Sequence, residues 1–141
     1  KSAKNPIRQK KLVIDTRPEW TMVALGRNFR VTVCIVDRSI LVTRSSGFST
    51  SYDIGRYRQF IKTILREGFD TNQTYIHVMD WSEYRGGSIG ARNTAIRFMQ
   101  DQPQLRGILI CNASAFLQMT VRLSEKLLSF PAISLALTEI L

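Results

Sequence analysis

The sequence predicts an α/β fold built on a mixed sheet. Three observations predict it. Residues 29–44 read as two strands joined by a tight turn, which must pair antiparallel because the connection is so short. From there on, helical and strand-like stretches alternate in the order α-β-α-β-α-β, and repeated strand–helix–strand crossings demand parallel pairing. Finally, residues 74–92 run from an apolar strand through Gly86-Gly87 to a serine at a helix start, the kind of strand-end turn where α/β proteins place their sites.

In chain order, residues 1–11 are basic and aperiodic, and we expect a flexible arm ahead of one domain over 12–141. Leu12 to Asp15 reads as a short strand or an extended lead-in, and Trp20 to Leu25 as a strand closed by a turn at Gly26-Arg27-Asn28. Phe29 to Val36 carries β-branched residues in partial alternation, Asp37-Arg38-Ser39 turns the chain, and Ile40 to Arg44 returns. Ser45 to Ser51 reads as a polar loop. A helix then runs from about Tyr52 or Asp53 to Glu67, with Ile54, Tyr57, Phe60, Ile61, Ile64 and Leu65 on one stripe and Gly68 as its stop. Arg56, Arg58, Lys62 and Arg66 lie mostly off the stripe, as a solvated face.

Tyr75 to Met79 is a buried strand that Asp80 and Ser82 end, followed by a loop. Ser88 is the N-cap of the next helix, whose inward positions are Ile89, Ala91, Ala95, Phe98 and Met99. Pro103 closes that region, and Arg106 to Cys111 forms another buried strand. Asn112-Ala113-Ser114 caps a third helix with Phe116, Leu117, Thr120, Leu123 and Leu127 inward, and Pro131 to Leu137 is a last strand.

Composition bounds the function. The 141 residues carry a net charge of +9, but residues 1–30 hold eight basic against two acidic groups and the remainder twelve against nine. The excess is therefore local to the N-terminal stretch, which weakens a nucleic-acid reading. No apolar run approaches the roughly 18 residues of a membrane span, and the start lacks the apolar core of a signal peptide. Because the chain does not begin with Met, we expect a piece of a longer protein. Cys34 and Cys111 both lie in apolar strand runs, as buried reduced thiols would. His77 is the only histidine, so neither a catalytic triad nor a zinc site assembles from this sequence. Asp80 has no acidic neighbours of the kind a phospho-aspartate or metal site needs, and reads as a carboxylate bonded to nearby amides. Gly86 to Gly90 lacks the spacing of a phosphate-binding loop. No catalytic residue, metal ligand or cofactor is expected. Trp81 and Tyr84 beside Arg85 either form a partner patch or pack on the core.

The element order, with Asp80-Trp81-Ser82 closing a strand and Gly87-Ser88-Ile89-Gly90 opening a helix, resembles the STAS domain of anti-sigma-factor antagonists and sulfate-transporter tails. Ser88, Ala91-Arg92 and Gly107-Ile108-Leu109-Ile110 resemble more specifically the STAS-like segment that precedes PAS and histidine-kinase modules in bacterial sensory proteins. Where the family has an aspartate just before its phosphorylated serine, this chain has Gly87. The resemblance implies a non-enzymatic regulatory or interaction domain of a cytoplasmic bacterial sensor-kinase-type protein. Ser88 would be its phosphoacceptor rather than only a cap. The interaction or anion-binding surface would comprise Asp80, Ser82, Tyr84, Arg85, Gly87, Ser88, Arg92 and Ser114. The implied partners are a protein, adjacent domains of the same chain or a second copy, without membrane or nucleic acid. Two alternatives stand beside it: a small-ligand or nucleotide-binding sensory module using the amides around Gly87 to Gly90, and nucleic-acid binding through the basic arm.

Overall fold

The computed structural model describes residues 11–125 and 132–135; residues 1–10 of the arm expected over 1–11, Leu127 and the ends of the expected last strand lie outside them. Among the described residues the strands are β1 (Ile14–Thr16), β2 (Val23–Gly26), β3 (Phe29–Val36), β4 (Ile40–Ser49), β5 (Tyr75–Gly87), β6 (Leu105–Cys111) and β7 (Ala132–Leu135). The helices are α1 (Ser51–Gly68), α2 (Ile89–Gln100) and α3 (Ala115–Glu125). They form one mixed sheet in the order β1-β3-β4-β5-β6-β7, with β2 also paired to β3. The β3–β4 pair is the expected antiparallel hairpin, and β4 through β7 run parallel. Asp37 and Arg38 both have positive φ, and the Ser39 amide donates to the Val36 carbonyl at 3.1 Å. Two positive φ values in succession give the primed turn that matches strand twist.

The order explains the layering. Successive parallel strands that step one way across a sheet, each joined by a right-handed crossover, put every connecting helix on the same face. Rows of side chains facing the helices follow from register: Ile35, Leu41, His77 and Ile108 form one, and Val33, Thr43, Met79 and Ile110 the next. All eight are buried. The core closes over these rows with Ile54, Tyr57, Ile61 and Ile64 from α1, Phe98 from α2 and Leu117 and Val121 from α3. The opposite face has no described helix over it. Its row Cys34, Val42, Val78 and Leu109 is half-buried apart from any cover, and Ile76 is 39% exposed.

Several expectations are corrected. Ser45 to Ser49 and Asp80 to Gly87 are strand, not loop: β4 and β5 run on past Arg44 and Asp80, paired with each other to Ser49 and Gly87 across two register shifts. Serines and glycines read as loop, but here they pack. Ser45 and Ser49 are buried, and Gly47 adopts φ +88 where a Cβ would collide with the Asn28 carbonyl. That carbonyl also accepts the Phe48 amide at 2.8 Å. Trp20 begins no strand; it ends a 3-10 turn at Pro18–Trp20 and is buried, with the Arg17 guanidinium 4.3 Å from its ring centre. Gly68 is the last helical residue, not a left-handed stop, and the extended Phe69 caps α1. The phase of α3 also differs. Leu117 and Val121 are buried while Phe116 and Leu123 are 66% and 61% exposed. Ile89, expected inward, is 79% exposed. Cys111 is buried as expected, but Cys34 lies on the open face and is only half-buried.

Candidate functional site

The elements meet at the far end of β4 and β5. Thr50 and Ser88 follow the last residues of these two paired strands, and each caps the helix it precedes. Thr50 and Asp53 form a reciprocal capping box: the Thr50 hydroxyl accepts the Asp53 amide at 3.2 Å, and the Asp53 carboxylate accepts the Thr50 amide at 3.0 Å. The Ser88 hydroxyl accepts the Ala91 amide at 3.1 Å, and the Ser88 amide donates to the Ser49 carbonyl at 3.0 Å. Gly87 lies so close to Ser49 and Ala91 that a Cβ there would stand 2.7 Å from the Ser49 hydroxyl oxygen. The α2 N-terminus is thus anchored to β4 by its cap residue. The Thr50 box went unread in the sequence; Thr-x-x-Asp before an apolar stripe was the available signal.

The eight candidate residues divide into groups. Asp80 lies on the open sheet face, where its carboxylate accepts the Ser82 amide at 2.9 Å and Arg44 Nε at 3.1 Å. Burial alone would raise the Asp80 carboxyl, but hydrogen bonds from Ser82, Arg44 and Asn112 outweigh it and hold the group below the usual carboxylate range. Tyr84 points inward, as one of the two readings for it had it. Its hydroxyl shares a 2.7 Å hydrogen bond with Ser49, and its ring lies 5.0 Å from Trp81 and 6.1 Å from Phe29 between centres. Ser82, Arg85 and Gly87 are exposed along the extended strand. Ser88 and Arg92 are half-buried at the start of α2. Ser114 caps α3 by accepting the Leu117 amide at 3.2 Å.

Ser88 and Ser114 both follow the C-terminal ends of neighbouring parallel strands, β5 and β6, but the two strands end at different heights. The β5–β6 pairing stops at Asp80 opposite Cys111, whereas β5 continues to Gly87, so β5 outruns β6 by seven residues. Beside that overhang lies Leu117 of α3. Gly86, at φ +113, lies where a Cβ would be 3.3 Å from Leu117 Cδ2. A cavity of about 220 Å³ opens between the overhang, α2 and α3. Met79, Ile96, Ile108, Ile110 and Val121 form its floor and walls, and the exposed Ile89 and Phe116 also line it. Neither of these two residues stands out in the sequence, because both occupy positions that a helical stripe reads as inward.

His77 is wholly inside the core, sharing a 2.9 Å hydrogen bond with Thr43 Oγ1, and burial lowers its pKa to about 3. It is a neutral, satisfied core residue. Among the described residues no group of three or more His, Cys, Asp or Glu gathers as a metal site would require. Nor is any described helix long and apolar enough to cross a membrane.

The same two-layer arrangement occurs in a solved structure from Shewanella loihica PV-4. That protein is an uncharacterised member of the DUF3478 family with a SpoIIAA-like fold; the match has a TM-score of 0.56 over 80% of this chain and 89% of that one. The fold is STAS-like, of the SpoIIAA type. Sequence identity to that protein is 11%, so the STAS-like likeness extends to architecture and not to individual site residues. No family model matches the chain, and no curated protein matches it. The mixed α/β sheet expected from the sequence is the one this fold has.

Proposed function

We propose that this STAS-like domain is a non-enzymatic regulatory and interaction module of a cytoplasmic bacterial signalling protein of the sensor-kinase type, and that it docks a protein partner or a neighbouring domain at the Ser88 edge. One observation carries the reading: the anchored start of α2 is flanked by two large apolar side chains left in solvent, Ile89 at 79% and Phe116 at 66% exposure. Exposed apolar groups set side by side and rimmed by polar ones mark docking surfaces. Here Ser88 and the half-buried Arg92, which line the same cavity as Ile89 and Phe116, supply the polar neighbours. Ser88 sits where a phosphate would meet the positive end of a helix dipole, bringing about −1.5 to −2 charges beside the apolar pair. Such a group suits the amides and opposes an acidic partner, which is a switch.

Two substitutions separate a switch from a cap. Ser88→Ala should cost on the order of 1 kcal/mol in urea denaturation, as a lost N-cap. Ser88→Asp should keep most of that stability, since a carboxylate caps as well as a hydroxyl, and yet change signalling by the parent protein. If both variants leave signalling by the full-length protein unchanged, the edge is only a helix start.

A further inference from the structure

The cavity beneath α2 and α3 has a composition that selects its occupant. Its walls are mostly aliphatic and aromatic, with hydroxyls from Tyr84, Ser88 and Thr120, and among the described residues lining it Arg92 is the one charged side chain. The half-buried Arg92 lines the cavity, and its Nε is buried without a hydrogen-bond acceptor. A buried donor left without an acceptor is costly, and an anionic oxygen is the acceptor a guanidinium binds best. The volume of about 220 Å³ is larger than the roughly 150 Å³ apolar cavity that takes up a benzene ring, and smaller than the ~300–1,000 Å³ of sites for drug-sized molecules. A nucleotide does not fit this chemistry: one cation in an apolar wall cannot match several phosphate charges.

We propose that this cavity is a binding site for a small amphipathic monocarboxylate, a short alkyl or single-ring aryl acid. Its apolar body lies against Met79, Ile96, Ile108, Ile110 and Val121, and its carboxylate pairs with Arg92. The mouth is formed by Ile89 and Phe116, so a bound acid changes the surface offered at the Ser88 edge. Binding itself does not depend on any partner, and it is measured on the chain alone, so ligand uptake and partner docking succeed or fail separately.

The test is a methyl-resolved NMR titration of the 141-residue chain with octanoate, and with 1-octanol as the neutral counterpart. Octanoate should bind saturably at one site, shifting the methyl signals of Ile96, Ile108, Ile110 and Leu117. Octanol should bind about tenfold more weakly, the difference a charge-assisted hydrogen bond makes. Arg92→Met should bring octanoate down to the level of octanol and leave octanol unchanged. Ala95→Phe, which fills the cavity from α2, should remove binding of both while the far-ultraviolet circular dichroism stays native. Equal affinity for octanoate and octanol, an Arg92→Met variant that binds octanoate as well as the parent chain, or no saturable shift in the cavity methyls would overturn the proposal.

Discussion

At the scale of single residues, the core is tuned by polar side chains that the sequence read correctly in kind but not in depth. His77 was legible as a structural histidine because it has no second histidine to work with. Its complete burial against Thr43 was not, since that depends on the register between β4 and β5. The burial has a consequence in acid. Folded His77 stays neutral down to about pH 3, whereas in the unfolded chain it takes up a proton near pH 6.5. The folded pKa is lowered, so this contribution to stability is complete above pH 6.5 and is lost as the pH falls toward 3, by about 1.4 kcal/mol per pH unit. Urea denaturation of the parent chain and of His77→Gln between pH 4 and 7 checks it. Stability of the parent should fall more steeply with acid than that of the variant, and parallel slopes would show that His77 is not neutral and buried. The thiols differ in the same way. Burial raises both, with Arg44 opposing the rise at Cys34 and Asp80 adding to it at Cys111. Cys111 is buried and Cys34 half-buried on the open face, so native thiol labelling should modify Cys34 first, and Cys111 only once the chain opens.

At the scale of elements, propensity placed nearly every strand and helix and failed where small polar residues pack. The hairpin turn, the stripe of α1 and the serine caps of α2 and α3 were legible because each rests on a local rule. The overhang of β4 and β5 was not. Ser45-Ser46-Gly47 and Ser82 to Gly87 look like loops in isolation, and only their mutual parallel pairing makes them strand. The phase of α3 failed for a related reason. Its position is set by the Gly86 overhang that Leu117 covers, which no periodicity in α3 records. Gly47 is the point at which this extension is most constrained, by a positive φ and by the Asn28 carbonyl together. Gly47→Ala should therefore destabilise by roughly 1–3 kcal/mol, whereas Gly55→Ala, at a helical position with open space around it, should be neutral or stabilising. Equal thermal midpoints for the two variants would mean that the β4 extension is not held as described.

At the scale of the whole molecule, a sheet with all its described helices on one face presents two surfaces to a partner. One is the open sheet face, whose apolar row is broken by the Arg44–Asp80 ion pair. The other is the Ser88 edge, where Ile89 and Phe116 stand exposed over the cavity mouth. The STAS-like architecture was visible in the order of elements, and the edge was visible through Ser88; the cavity was not, because its walls come from five elements that only the fold brings together. The central claim is that the edge, and not the open face, is where the partner docks. Site-specific photo-crosslinking in living cells, with the probe placed at Ile89 or, for comparison, at Ile76 on the open face, tests it most directly. The account predicts one discrete adduct from position 89, weakened several-fold by Ser88→Asp, and none of that mass from position 76. An adduct from position 76 with none from position 89 would contradict it.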